Sequence, residues 1–167
     1  ELGRPTKPMP IDEEEQYILS RKNSTIEKVT QLLEEYRLDE AIGEIENLFL
    51  EISRVYIKFT REKALEEKEK VAAALFSAYT DCLKMFSIIA PFMTEAIWQD
   101  LRGPLSLNEE SIHLADWPKT EKKRIDKKYE EQFQQILKII ELGLSIRDKE
   151  KIALKQPLQK AVISCPD

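Results

Sequence analysis

Ile18, Ile26, Val29, Leu32, Leu33 and Tyr36 recur at helical spacing, while Arg21, Lys22, Lys28, Glu34 and Glu35 fall on other faces. That pattern predicts an amphipathic helix ending near Tyr36. Asp12 followed by Glu15 has the spacing of a capping box and marks its start. A second stripe runs through Ala41, Ile42, Ile45, Leu48, Phe49, Ile52, Tyr56 and Phe59, about five turns of helix. Its polar face ends in Arg54, Lys58 and Arg61. After a charged run from Glu66 to Lys70, the period resumes through Val71, Leu75, Ala78, Tyr79, Cys82, Leu83 and Phe86 and predicts a third helix.

Pro91 interrupts this pattern, because proline lacks an amide hydrogen, yet it suits the first turn of a new helix. A short fourth helix is expected over Phe92 to Leu101. Arg102, Gly103 and Pro104 stop it, and the stretch through Trp117 and Pro118 reads as an ordered loop with a few extended residues. Leu105, Leu107, Ile112, Leu114 and Trp117 are expected to pin that loop to the helices. Ile125, Tyr129, Phe133, Ile136, Ile140 and Leu144 predict a last helix from about Lys123 to Ile146, and Ala161, Val162 and Ile163 read as a short C-terminal strand. The fold class expected is all-α, an antiparallel helical bundle whose facing stripes are Ile42, Ile45, Phe49, Ile52 and Leu75, Tyr79, Cys82, Phe86.

A chain of 167 residues fits one domain, and 42% apolar with 34% charged residues and only 4 Gly excludes a disordered chain. The opening Glu1 to Pro10, with Gly3, Pro5, Pro8 and Pro10, reads as a linker from an upstream region. Residues 11–148 are then the bundle, and 149–167 begin a connection to a downstream domain. No apolar stretch approaches the roughly 20 residues that cross a bilayer, so no membrane partner is expected and the compartment predicted is the cytosol.

Charge and chemistry narrow the function further. The net charge of −5 argues against an indiscriminate nucleic-acid binder, but from Lys119 to Lys160 there are 12 Lys plus Arg against 7 Asp plus Glu. That segment is +5 and the remainder −10, so one face can still suit RNA. Cys82 and Cys165 are far apart and suggest neither a disulfide framework nor zinc; Cys82 is expected in the core. The single His113 lies in the loop, outside any Glu-x-x-His motif, so no di-iron bundle is indicated. No Gly-rich phosphate loop or alternation of strands and helices is present, and no nucleophile and base can be paired. The sequence therefore carries no catalytic centre, no metal site and no cofactor site of its own.

Four segments carry a resemblance. Tyr17-Ile18-Leu19-Ser20-Arg21 with Tyr36-Arg37-Leu38-Asp39-Glu40-Ala41 comes first, and Ile52-Ser53-Arg54-Val55-Tyr56-Ile57 second. The third is Ala90-Pro91-Phe92-Met93-Thr94-Glu95-Ala96-Ile97-Trp98, followed by Ser111-Ile112-His113-Leu114-Ala115-Asp116-Trp117-Pro118; the fourth is Lys151-Ile152-Ala153-Leu154-Lys155-Gln156-Pro157-Leu158. Together they resemble the anticodon-binding bundle of class I aminoacyl-tRNA synthetases, most closely the isoleucyl family, with the valyl and leucyl families and a helical protein-interaction scaffold as alternatives. Val55 stands where the isoleucyl family commonly has Trp, and Lys155 where it usually has Arg, which removes a bidentate donor there.

The resemblance implies a parent ligase that uses ATP and Mg to join isoleucine to its tRNA. This bundle would hold the anticodon stem and loop, between an upstream catalytic domain and a downstream C-terminal domain. Unstacked loop bases are read by stacking and edge hydrogen bonds, and phosphates by Lys and Arg. The candidate RNA-binding residues are Arg54, Lys58 and Arg61 at the end of the second helix, with Arg147, Lys151, Lys155 and Gln156 beyond the last. Trp98 and Trp117 are expected to pack rather than to stack on bases.

Overall fold

The computed structural model describes residues 12–164, so the opening linker and Cys165 lie outside the described residues. Its helices are α1 (Glu13–Glu34), α2 (Leu38–Leu50), α3 (Ile57–Thr60), α4 (Lys63–Glu66), α5 (Lys68–Phe86), α6 (Pro91–Arg102) and α7 (Lys127–Lys149). Among the described residues there is no β-strand, and the segment expected to form one at Ala161 to Ile163 is irregular and exposed. The chain forms two compact units, one through Asp126 and one from Lys127 onward.

In the first unit, α1, α2 and α5 pack against one another around Ile18, Ile26, Val29, Leu32, Ala41, Ile45, Leu48, Ile52, Val71, Ala78 and Met85. Cys82 is buried among them, and burial, with Asp81 nearby, pushes its thiol pKa up to about 12. The shared core does not include every residue of the expected stripes. Ile42 and Phe49 are 41% and 46% exposed. The buried set is Ala41, Ile45, Leu48, Ile52, Tyr56 and Thr60, one edge of the apolar stripe rather than its middle.

That choice has a backbone consequence. Leu48, Ile52, Tyr56 and Thr60 follow at steps of four, and an ideal α-helix turns about 40° too far at each such step. Residues Glu51–Tyr56 widen into a π-helical segment, with the Ile57 amide donating to the Ile52 carbonyl, and keep these side chains on one face. The expected long second helix is therefore α2, this π segment and α3 in unbroken succession.

α1 is less amphipathic than its apolar stripe suggests. Ser20, Lys22, Asn23, Ser24 and Thr25 are buried beside Ile18 and Ile26. Lys22, expected on an outer face, lies at 3% exposure with its ammonium on Asp81 at 2.9 Å and on the Ser77 hydroxyl at 3.0 Å. Asn23 Oδ1 accepts from the Glu121 amide at 2.7 Å and Ser20 Oγ from the Asp126 amide at 2.9 Å. These captured amides explain why the last helix starts at Lys127 rather than near Lys123; residues Lys122–Arg124 form one 3-10 turn instead.

Asp12 starts α1 as expected, but its carboxylate makes no cap hydrogen bond. It pairs with Lys63 at 2.7 Å and with Lys70, and those two ammonium groups lower its pKa to about 2. α1, α6 and α7 are all followed by the same six-residue device, with an amide past the helix bonded back five positions: Arg37 to Leu32, Leu107 to Arg102 and Ile152 to Arg147. The left-handed position it requires is filled by Tyr36, Ser106 and Lys151, with φ of 59°, 51° and 54°.

The 91–118 region forms a second, smaller core of Leu83, Trp98 and Ile112. Glu95 Oε2 accepts from the Ser111 hydroxyl at 2.8 Å and the Ile112 amide at 3.0 Å, and Trp98 Nε1 donates to the Glu109 carbonyl at 3.2 Å. Trp117 Nε1 donates to Thr30 Oγ1 at 2.9 Å, so both tryptophans pack as expected. Leu105 and Ile112 pin the loop, whereas Leu114, on the outer side of the 3-10 turn at Ile112–Leu114, is 70% exposed.

Candidate nucleic-acid interface

Arg54 lies in the π segment, Lys58 in α3 and Arg61 just after it, at steps of four and three that place them on one side of the helix. Ile52, Tyr56 and Thr60 occupy the other side and are buried. Two anchors hold this geometry. At its start, Glu51 receives Arg21 Nε at 2.9 Å, Arg21 Nη2 at 3.1 Å and the Tyr17 hydroxyl at 3.2 Å. At its end, the Tyr56 hydroxyl donates to the Val71 carbonyl at 3.1 Å and to Glu15 Oε1 at 3.4 Å. Burial, and then the Glu15 charge, raise the Tyr56 pKa far above its ordinary value, so the phenol stays protonated and remains a donor.

Not every basic residue of this region is available. Lys63, two residues beyond Arg61, spans Asp12 at 2.7 Å, Glu14 at 3.1 Å and Glu15 at 2.6 Å. Burial alone would lower its pKa, but hydrogen bonds to those three carboxylates outweigh that effect and raise it. Arg54, Lys58 and Arg61 are exposed, and among the described residues none of them pairs with a carboxylate. A cation that keeps its charge unneutralised on a rigid helix face is what a phosphate backbone requires.

The second unit contains Arg147, Lys151, Lys155 and Gln156 at and beyond the C-terminal end of α7, the last three exposed and Arg147 half-buried. Arg147 has a structural role, because its Nη1 donates to the Ala153 carbonyl at 3.0 Å and the Gln156 carbonyl at 3.1 Å and folds the tail back into a turn. The Gln156 amide closes that turn on Ala153 at 3.0 Å. Lys151 sits at the left-handed residue of the helix end, so backbone geometry fixes the direction in which it leaves α7. The sequence offered no sign that Arg147 holds carbonyls or that Lys63 is consumed by carboxylates. Both facts depend on residues distant along the chain or on the turn itself.

Other basic residues of the +5 segment are partly neutralised. Lys122 approaches Glu27 at 3.5 Å and Arg124 pairs with Glu121 at 2.7 Å, so the excess of Lys and Arg there does not translate into a row of free cations.

The chain belongs to the family of anticodon-binding domains of tRNA ligases, whose model matches residues 15–162. Among curated proteins it is similar to isoleucine–tRNA ligases. That of Pyrococcus abyssi is 33% identical over 165 residues, covering 95% of this chain, and that of Thermococcus kodakarensis is 34% identical over 165 residues, also covering 95%. A bacterial example, from Clostridium kluyveri, is 33% identical over 158 residues and 90% of the chain. The chain spans about 15% of the length of these relatives.

Proposed function

We propose that this chain is the anticodon-stem-loop-binding bundle of an isoleucine–tRNA ligase, positioning tRNA for an ATP- and Mg-dependent aminoacylation carried out elsewhere in the parent protein. What carries the reading is similarity to archaeal and bacterial isoleucine–tRNA ligases along nearly the whole chain. These relatives are isoleucine enzymes, which favours that specificity over the valyl and leucyl alternatives; the scaffold alternative lacks any comparable support. In this reading residues 1–10 link to the upstream catalytic domain, 11–148 form the bundle and 149–167 lead to a C-terminal domain. The parent acts in the cytosol; among the described residues no helix is long and apolar enough to cross a membrane.

Arg54, Lys58 and Arg61 contact phosphates of the anticodon arm, and Lys151, Lys155 and Gln156 form a second contact that Arg147 shapes. The test is tRNA affinity of the full-length enzyme as a function of salt. Reversing Lys58 and Arg61 to Glu is expected to weaken binding and to flatten the salt dependence by about one unit of slope per lost phosphate contact. Lys28, exposed on α1, is the control, since Lys22 is buried and its reversal would damage the core. Unchanged affinity and slope after both reversals would reject this surface as the RNA contact.

A further inference from the structure

The face of the first unit made by α2, α5 and α6 carries an open apolar groove of about 460 Å³. Ile42 and Phe49 form one wall, Tyr79 and Phe86 the floor, and Met93 and Ile97 the other wall. Phe49 and Met93 are 46% and 53% exposed, and beside them at the start of α6 Phe92 is 91% exposed. Large apolar side chains grouped in this way, rather than scattered singly, mark an interaction surface.

The α2 wall of the groove is acidic. α2 contains Asp39, Glu40, Glu44 and Glu46 and no Lys or Arg, and Glu46 itself lines the groove. α6 contains Glu95, engaged with Ser111 and Ile112, and Asp100, with Arg102 as its last residue. An acidic wall disfavours a phosphate backbone. An apolar trough with an acidic α2 wall matches an amphipathic helix that lays apolar anchors at i, i+3, i+4 and i+7 into it and carries Lys or Arg along the flank facing α2.

We propose that the groove between α2, α5 and α6 receives a basic amphipathic helix of the same parent polypeptide, from outside these 167 residues. The proposal rests on the reading of the chain as part of a longer synthetase, since it spans about 15% of the length of its relatives. It gives Ile42 and Phe49 the burial that their place in the apolar stripe of α2 demands and that the helices of the first unit do not provide.

The experiment uses the full-length enzyme with a photo-cross-linking residue, Phe49→p-benzoylphenylalanine, and a second preparation carrying it at Met93 on the opposite wall. Both positions are about half exposed, so neither substitution opens the core. After irradiation, the cross-linked peptides are identified by mass spectrometry. The expected result is an intramolecular cross-link from both positions to one helical segment flanked by Lys or Arg, with a several-fold lower yield when Glu46→Lys is added. Cross-links to a second copy, to tRNA, to another protein, to a segment within these 167 residues or to an acidic segment would overturn the proposal, as would the absence of any cross-link. Isoleucylation is assayed on the same preparations. Enzyme that charges tRNA but lacks the expected cross-link sinks the groove proposal alone, whereas a failure to charge isoleucine counts against the functional reading.

Discussion

Replacing Ile52 and, separately, Phe49 by alanine separates two registers of the second helical stretch that the hydrophobic stripe alone does not distinguish. Ile52 is 2% exposed and sits inside the π segment against the main core. Its truncation removes buried methyl groups and leaves a cavity, a loss of about 2–5 kcal/mol. Phe49 is 46% exposed and opens onto the groove. A fully covered aromatic side chain buries about 150–250 Å², so roughly 100 Å² of Phe49 is covered; at about 25 cal/mol per Å² this is ~2.5 kcal/mol. Alanine retains part of that contact and no closed cavity forms, leaving a cost of about 1–2 kcal/mol. The assay is urea unfolding followed by far-ultraviolet circular dichroism, comparing midpoints at unchanged slope. Equal losses for the two variants, or a larger loss for Phe49→Ala, would refute the register and with it the π segment as the reason that Ile52 and Tyr56 share a face.

Tyr36→Gly is expected to stabilise the protein by roughly 0.5–1 kcal/mol, because the left-handed backbone there strains a side chain that is 89% exposed and contributes little packing; thermal unfolding reads the sign. Lys63→Met strips the ammonium from Glu15, which is 2% exposed, and removing one partner of a buried ion pair costs about 3–5 kcal/mol, measured by the same urea titration. Glu95 has its pKa held below the ordinary glutamate value by hydrogen bonds from Gln99 and Ser111, aided by the Ile112 amide and the His113 charge. A depressed carboxyl stabilises the fold above its unfolded pKa and loses that contribution as pH falls through the folded one. Stability in the acid range should therefore decline less steeply in Glu95→Gln than in the parent.

The periodicity located the helices of the first unit because α1, α2 and α5 each bury a stripe, and stripes leave a 3.6-residue trace; α7 carries such a stripe although only Glu130 of it is buried. It failed where burial was not one-sided. α1 is covered by α2, by α5 and by the 119–126 segment, so Lys22, Asn23 and Ser24 are buried although their residue types mark them as surface. Helix ends were blurred for a related reason. A glycine usually announces the left-handed closing residue, whereas here Tyr36, Ser106 and Lys151 take that role. The candidate site divides in the same manner. That Arg54, Lys58 and Arg61 share a face was legible from spacing. That they stay unpaired while Lys63 is taken up by carboxylates depends on α1 bringing Asp12, Glu14 and Glu15 to Lys63, a contact across about fifty positions of sequence.

The segments that gave the family away are, in the structure, the ones that hold it together. In the Pro-Phe-Met-Thr-Glu-Ala-Ile-Trp run, Thr94 Oγ1 bonds back to the Ala90 carbonyl at 2.9 Å, Glu95 ties down Ser111 and Ile112, and Trp98 ties down Glu109. In Ser-Ile-His-Leu-Ala-Asp-Trp-Pro, Trp117 closes the loop onto α1 through Thr30. Thr94, Glu95, Trp98 and Trp117 are thereby engaged within the protein, and both tryptophans already donate their N–H groups there. In the function proposed above, recognition of RNA falls to the exposed cations, whose sequence context is ordinary, and to backbone geometry such as the turn that Arg147 folds at the end of α7. Affinity built on exposed Lys and Arg falls steeply with salt and is lost piecemeal, one phosphate contact at a time. A lesion in the signature segments should act differently: Trp98→Ala, which empties a site 1% exposed at a cost of about 3–5 kcal/mol, should reduce tRNA binding only in proportion to the fraction unfolded and leave the salt slope of the folded fraction unchanged. A Trp98→Ala enzyme that remains fully folded yet binds tRNA with a flattened slope would place Trp98 in the RNA contact and undo this division between signature and site.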